Sequence, residues 1–258
     1  MKCQNYINNE WVSGLNGNKF DVENPFTEEI IAQVPKSSGN DVDMAVKAAK
    51  SAWKEWKVLG SLYMRDLLRE VAVKSRSHDH EIAKIISIES GKPLIECLDE
   101  IEWIASIFEY YSEIGRDQRG RVVAPVTPRS MSMVVKEAYG VVGCIVPWNY
   151  PLLLMAWKVA PALAAGNTVV VKPSEITPLS IMIWLEKCCS HLPVGVLNMV
   201  TGYGETGAAL VEHPDIRVIA FTGSVDTGKK IASMAATQLK KTSLELGGND
   251  PIIICCLL

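Results

Sequence analysis

"VVGCIVPWNYPLLLMAWKVAPALAAGNTVVVKPSE", residues 141–175, is the stretch that decides the fold. It begins with a short apolar run, continues with an apolar segment of helical length that ends at Gly166, and closes with "TVVVK". Two short apolar runs joined by a helix of this length predict two parallel strands, because parallel neighbours need a crossover connection. Lys158 and Pro161 interrupt the helical segment, which favours a buried helix over a membrane span.

The same alternation continues to residue 246. The patterns "TPLSIMIWLEKCC", "GETGAALVEH" and "SVDTGKKIASMAA" are typical of helices, and "GVLNMV", "RVIAF" and "KTSLEL" between them are typical of strands. Short strands that alternate with helices predict an α/β fold with a doubly wound, Rossmann-like parallel sheet. Ligands of such sheets bind at the carboxyl ends of the strands.

The first 140 residues have a different pattern. Residues 1–35 alternate in the manner of short strands, and helical periodicity follows from Asn40, from about Ser61 to Ser90, and over residues 94–115. The segment "RVVAPVTPRSMSMVVKEAYG", residues 121–140, predicts two strands joined by a Pro-rich turn that project from the body. We therefore expect one main domain over residues 1–248, with this hairpin attached.

Composition excludes several classes of protein. The 258 residues carry a net charge of −3, so there is no basic field for nucleic acid. The seven cysteines are odd in number and include two adjacent pairs, which favours reduced thiols over disulfides. The four histidines are scattered and no CxxC occurs, so no metal site is predicted. The first residues lack the apolar core of a signal peptide, and a cytoplasmic protein without membrane contact is expected.

Three motifs at strand ends predict a dinucleotide site. "GYGETG" places Gly202, Gly204 and Gly207 between a strand and a helix, although the acidic partner of the usual fingerprint does not follow on a strand. "FTGSVDTG" places Gly223 and Ser224 at a helix start, where backbone N–H groups bind phosphate. The alternative there is an ordinary Gly-Ser helix cap.

"VKPSE" adds Lys172 and Glu175 at another strand end. A carboxylate in this place can accept hydrogen bonds from both ribose hydroxyls, and it would repel a 2′-phosphate. NAD is therefore favoured over NADP as the cofactor. The alternative is a solvated pair of loop charges.

Two polar residues are candidates for catalysis. Asn149 precedes a helix with a side-chain amide that could stabilise a developing oxyanion, and the alternative is a helix cap. Glu245 lies in the apolar strand "LELGG", which would raise its pKa and suit a general base. Its alternative is a glutamate on a solvated edge strand.

Taken in order, these motifs resemble the aldehyde dehydrogenase superfamily, with "EYYSE" and "PWNYPLLLMAWK" most similar to the betaine-aldehyde and aminoaldehyde branch. The resemblance implies oxidation of a small aldehyde to a carboxylic acid with NAD(P)⁺, through a cysteine thioester. It also implies a homo-oligomer assembled through the hairpin at 121–140. Residues that the resemblance assigns are the oxyanion donor Asn149, the general base Glu245, the cofactor-binding Trp148, Lys172, Glu175, Phe221, Gly223 and Ser224, the aromatic Tyr150 and Trp157 near the aldehyde, and Gly204, whose loop flanks the adenine side.

One departure from the family remains. The family's nucleophilic cysteine lies in a later segment with its own sequence context, which this chain does not match, and Cys255 and Cys256 lack a helix start or a cation that would activate a thiol. We therefore expect residues 249–258 to be the stub of a catalytic domain and the chain to be inactive alone. The alternative is a non-catalytic module that binds nucleotide or joins subunits.

The final segment also bears on the physical state of the protein. The apolar, uncharged stretch "PIIICCLL" predicts that the chain associates with itself.

Overall fold

The computed structural model describes residues 2–117 and 119–254. The bounds of its strands and helices, in chain order, are β1 Asn5–Ile7, β2 Glu10–Val12, β3 Lys19–Glu23, β4 Ile30–Pro35, α1 Gly39–Trp56, α2 Ser61–Ser77, α3 Asp79–Ser90, α4 Leu94–Ile114, β5 Arg121–Val123, β6 Ser132–Val134, β7 Val141–Ile145, α5 Pro151–Ala164, β8 Thr168–Lys172, α6 Leu179–Cys188, β9 Leu197–Met199, α7 Gly204–Glu212, β10 Ile216–Gly223, α8 Val225–Ala236 and β11 Lys241–Leu246.

The main sheet has seven strands in the order β11-β10-β7-β8-β9-β1-β2. The five strands from β11 to β9 run parallel, which confirms the doubly wound α/β prediction. Strands β1 and β2 extend the sheet in the antiparallel direction, which the sequence patterns did not indicate. Asn8 and Asn9 form the tight turn between them with positive φ angles of 54° and 60°.

The direction of strand succession reverses beside β7. From β7 the chain adds β8 and then β9 on one side, whereas β10 and β11 are added on the other side. The carboxyl ends of β7 and β10 are hydrogen-bonded neighbours, with Phe221 opposite Ile145. In an open α/β sheet this reversal opens a crevice at the strand ends, because the following helices go to opposite faces.

Helices cover both faces of the sheet. Val169 and Val171 of β8 belong to a large core that includes Leu152 of α5 and Trp184 of α6. Val170, which points to the other face, belongs to a second core with Val42 of α1, Leu210 of α7 and Ile231 of α8. The alternation of β8 between two cores explains why its sequence is continuously apolar.

Two buried glutamates cap the starts of helices on the first face. Glu89 accepts hydrogen bonds from the backbone N–H groups of Leu179 and Ser180, at 2.7 and 3.0 Å, and so caps α6. Glu100 accepts from Leu152 N and Leu153 N, at 3.0 and 3.1 Å, and so caps α5. Each carboxyl group satisfies N–H groups that have no partner within the helix. Both helices therefore start at points fixed by side chains distant in the sequence.

The predicted single helix from Ser61 to Ser90 is wrong. The chain forms α2 and α3 with a break at His78, whose φ and ψ are −118° and 18°. His78 N donates to Lys74 O, and His78 O accepts from Ile82 N, so this residue ends one helix and begins the next. Asp79 and Glu81 follow in the first turn of α3, where a negative charge favours a helix start.

Residues 121–140 contain the predicted pair of strands. β5 and β6 pair antiparallel, with Arg121 opposite Val134, and form a separate two-stranded sheet. All residues of both strands are exposed. Among the residues that the structure describes, no helix combines the length and apolar character that crossing a bilayer requires.

Candidate functional site

A cleft lies at the point where strand succession reverses. Its volume is about 490 Å³, and its walls come from the ends of β7, β8 and β10 and from one side each of α7 and α8. The seven predicted cofactor-binding residues all line it: Trp148, Lys172, Glu175, Gly204, Phe221, Gly223 and Ser224. The cleft thus collects residues from four separate motifs at the position where doubly wound sheets bind ligands.

The start of α8 forms one end of the cleft. Ser224 is the N-cap residue, and its Oγ accepts from Thr227 N at 3.2 Å. A Cβ at Gly223 would lie 2.5 Å from the Phe221 ring, so glycine allows this ring to fold against the backbone. The helix start is therefore capped as in the simple alternative, and it also opens onto a cavity. Its remaining N–H groups and the helix dipole favour an anion.

Lys172 and Glu175 lie at the end of β8. Lys172 Nζ donates to Pro173 O at 2.8 Å and lies 3.7 Å from a carboxylate oxygen of Glu175. Burial lowers the pKa of Lys172, and the Glu175 charge opposes this shift. The Glu175 side chain stays 41% exposed. A carboxylate in this position can accept hydrogen bonds from vicinal hydroxyl groups of a ligand in the cleft.

The glycines of "GYGETG" have two roles. Gly202 has a φ of 148°, and a Cβ there would lie 2.1 Å from Thr206 Oγ1, so the turn into α7 requires glycine. Gly204 and Gly207 line the cleft and leave its wall free of side chains. Gly204 and Gly207 therefore leave space for a ligand beside α7.

Asn149 is exposed and lies two residues before the first residue of α5. The alternative interpretation as a helix cap is wrong, since Tyr150 is the N-cap residue and Glu100 takes the N–H groups of Leu152 and Leu153. Lys92 Nζ donates to Asn149 O at 3.2 Å, which holds the backbone of this turn. The side-chain amide of Asn149 therefore lies on a turn whose backbone is held by Lys92, and it does not cap α5.

Glu245 lies on β11, opposite Thr222 of β10. The prediction that Glu245 has apolar surroundings is wrong for the part of the chain that the structure describes. Glu245 is exposed there, and β11 is an edge strand of the sheet. Lys158 of α5 donates to Thr222 Oγ1. Burial lowers the pKa of Lys158, whereas its proximity to Cys144 and Glu245 raises it. Neither Asn149 nor Glu245 lies on the wall of the cleft.

Sequence reasoning did not identify the rest of the cleft. Ser224, Thr227, Ile231 and Met234 line it at successive spacings of three, four and three residues, which is one face of a helix. This spacing was a signal available in the sequence. Lys158, which does not line the cleft but contacts Thr222, also had a signal, because a single charge within an apolar helix is unusual unless it has a partner. Lys230 lies on the wall of the cleft without any motif to indicate it.

The described cysteines are unsuited to act as nucleophiles. Cys97, Cys144, Cys188 and Cys189 are buried, and Cys3 is partly buried. Burial raises the pKa of Cys97 to about 11 and that of Cys144 to about 12. None of the five lines the cleft. Cys255 and Cys256 lie outside the described residues.

A wider groove of about 910 Å³ runs along α1 and is lined by Asp43, Lys47 and Glu55 among others. It is open to solvent and contains none of the predicted site residues. Its position away from the carboxyl ends of the parallel strands makes the cleft the stronger candidate.

The fold and the cleft together define a dinucleotide-binding α/β protein. The chain belongs to the aldehyde dehydrogenase family, whose model matches residues 11–256. It is 42% identical to a chloroplastic betaine aldehyde dehydrogenase of Beta vulgaris, over 97% of this chain and 52% of the relative. It is also 42% identical to the peroxisomal aminoaldehyde dehydrogenase 2 of Pisum sativum, with the same coverage.

Solved structures support the same family. A betaine aldehyde dehydrogenase from Staphylococcus aureus in complex with NAD⁺ superposes with a TM-score of 0.92 at 35% identity, over 95% of this chain and 50% of that one. An NADP-dependent enzyme of E. coli gives 0.93 at 36% identity, over 96% and 52%. The chain therefore spans about half the length of the relatives that it matches.

Proposed function

We propose that the chain binds NAD⁺ in the cleft between α7 and α8, as the coenzyme-binding part of an aldehyde dehydrogenase. The observation that carries the proposal is the convergence of four sequence motifs on one cavity where strand succession reverses. Family membership and the NAD⁺ bound to the Staphylococcus aureus relative support it. The reaction is the oxidation of an aldehyde to a carboxylic acid, for which NAD⁺ supplies the hydride acceptor.

The residues of the cleft suit the parts of a dinucleotide. The start of α8 at Ser224 binds the pyrophosphate, because its free N–H groups favour an anion. Glu175 accepts hydrogen bonds from the adenosine ribose, and the wall beside Gly207 leaves room for a flat base against Ile231. The cleft thus offers one position each for the pyrophosphate, the ribose and the base of the dinucleotide.

The catalytic groups lie beside the cleft. Asn149 donates its amide hydrogen bond to the oxygen that becomes negative when the aldehyde is attacked. Glu245 acts as the base that activates water, from a position on β11 opposite Thr222, which lines the cleft. The described cysteines are buried or line no part of the site, so these residues by themselves bind coenzyme and do not turn over aldehyde.

The aldehyde that we propose is one of the betaine or aminoaldehyde type. The names of the relatives support this class. Trp103 pairs with Tyr150 beside Asn149, with ring centroids 6.3 Å apart. The Tyr150 ring already carries the Lys92 ammonium group, whereas Trp103 and Trp157 are exposed. Aromatic faces attract the cationic end of such substrates.

Calorimetric titration of NAD⁺ into the folded chain tests the proposal. We expect binding, and we expect Glu175→Gln to weaken it about tenfold, because hydrogen bonds to a charged acceptor contribute roughly 1.5 kcal/mol or more. Glu10→Gln is the matched control, since Glu10 is exposed on β2 at the opposite edge of the sheet. A folded chain that releases no heat with NAD⁺, or equal effects of the two variants, would contradict the proposal.

The hairpin of β5 and β6 is proposed as a contact between copies of the chain. Its strands are short and exposed, and Val122 and Met133 are 77% and 61% exposed. Exposed apolar strands tend to associate. Sedimentation velocity of the chain and of Met133→Lys measures this association, which the substitution should weaken.

A further inference from the structure

Lys230 contributes a cation to the wall of the cleft. It lies in the second turn of α8, three residues after Thr227 and directly before Ile231. The cleft-lining residues of α8 are Ser224, Thr227, Lys230, Ile231 and Met234. Its neighbour Lys229 is also exposed but does not line the cleft.

The ammonium group of Lys230 is not held by an acidic side chain. Among the described residues, the ion pair at the cleft joins Lys172 to Glu175, and no carboxylate oxygen lies within 4 Å of Lys230 Nζ. Asp226 is one turn earlier on the same helix face, yet the two charged groups do not form an ion pair. Lys230 is exposed, so its flexible side chain can adjust to a ligand.

The charges on the walls of the cleft bear on coenzyme choice. Glu175 alone would repel a phosphate on the ribose 2′-oxygen. Lys172 lies 3.7 Å from this carboxylate, and its own ammonium group also donates to Pro173 O, so part of its charge is already compensated. Lys230 adds an uncompensated positive charge from the α8 wall of the same cavity. A dianionic phosphate in this cavity would find at least one free cation.

We propose that Lys230 is a coenzyme-selectivity residue through which the cleft accepts the 2′-phosphate of NADP⁺ as well as binding NAD⁺. This inference rests on the proposed dinucleotide site. It differs from a simple packing role, in which Lys230 would cover the base or ribose and affect both coenzymes equally. It also offsets the discrimination against NADP⁺ that Glu175 alone would give.

The test is calorimetric titration of NAD⁺ and of NADP⁺ into the full chain and into two variants. We expect Lys230→Met to weaken NADP⁺ binding about fivefold and NAD⁺ binding less than twofold, because the lost contact is a solvent-exposed ion pair with the 2′-phosphate. The selective loss should shrink when salt is raised, since exposed charges are screened. Lys229→Met is the matched control and should change neither affinity by as much as twofold.

Each other outcome counts against the inference. Equal weakening of both coenzymes by Lys230→Met would assign Lys230 to packing, and no change with either coenzyme would remove it from the site. Wild-type binding of NAD⁺ without measurable binding of NADP⁺ would overturn this inference and leave the proposed function intact. A folded wild-type chain that binds neither coenzyme would overturn both.

Discussion

Glu89 is a fully buried carboxyl group at the start of α6. Burial raises its pKa to about 8, although the backbone hydrogen bonds from Ser180 and Leu179 lower it. In the unfolded chain the group titrates near 4.5, which is the ordinary value for glutamate. Between these two values the folded protein retains a proton that the unfolded chain releases.

The stability of the protein should therefore depend on the protonation of Glu89. Because the pKa is raised by folding, the stabilisation is complete below about pH 4.5 and is lost as pH rises toward about 8. Relative to Glu89→Gln, the free energy of unfolding of the wild type should fall by roughly 2 kcal/mol between about pH 5.5 and 7.5.

Urea unfolding of both proteins at several pH values measures this difference. The glutamine variant also loses one acceptor for a backbone N–H, which shifts its stability by a constant amount and does not alter the slope. Glu186→Gln, on the same helix but partly exposed, is the control and should leave the slope unchanged. Parallel pH profiles of wild type and Glu89→Gln would rule out a titrating Glu89.

Individual residues differed in how far the sequence could predict them. Gly223 and Ser224 were predictable, because a helix start after a strand defines its own chemistry from adjacent residues. Glu89 and Glu100 were not, since the helix starts that they cap lie about 90 and 50 residues further along the chain. Glu245 was placed on the correct strand, but its exposure depends on which strands flank β11 and not on "LELGG" itself.

The turn before α5 is held by an element from another part of the chain. Glu100 of α4 caps α5 and pairs with Lys92, whose ammonium group also contacts Asn149 O and lies 3.9 Å from the centroid of the Tyr150 ring. The Glu100 side chain is fully buried, and that of Lys92 is 15% exposed. The pair thus connects α4 to the turn that presents the candidate oxyanion donor.

Removing one partner of this pair should be costly. Lys92→Met leaves the buried Glu100 without its cation, and we expect the free energy of unfolding to fall by about 3 kcal/mol. The double variant Lys92→Met/Glu100→Gln should recover part of this loss, because no buried charge remains uncompensated. Urea unfolding near neutral pH measures all three proteins.

Lys187→Met is the control, because Lys187 pairs with Glu81 on the surface and its loss should have little effect. If Lys92→Met and Lys187→Met reduced stability equally, the Lys92–Glu100 pair would not be the connection described above.

At the level of elements, periodicity predicted the helices and strands from residue 141 onward. It did not separate α2 from α3, because the apolar spacing continues across His78 and only the backbone at that residue departs from helix. It also gave no reason to join β1 to β9, a pairing that Asn5 supports through its acceptance of a hydrogen bond from Thr201 N at 3.0 Å. The break between α2 and α3 and the pairing of β1 with β9 both depend on contacts between segments that are distant in the sequence.

The whole molecule places the site through its topology. The order β11-β10-β7-β8-β9 reverses strand succession beside β7 and puts the starts of α7 and α8 on one cleft. The alternation of strands and helices in the sequence predicts such a crevice but not the strands that form it. The position of Lys230 in the cleft follows only when α8 is packed against β10 and β11.

The most direct test of the central claim is a crystal structure of the chain with NAD⁺ at saturating concentration. The account predicts a dinucleotide between α7 and α8, with its pyrophosphate at the start of α8 beside Ser224 and its adenosine ribose beside Glu175. A dinucleotide bound elsewhere, for instance in the groove along α1, or a cleft that stays empty at that concentration, would contradict it.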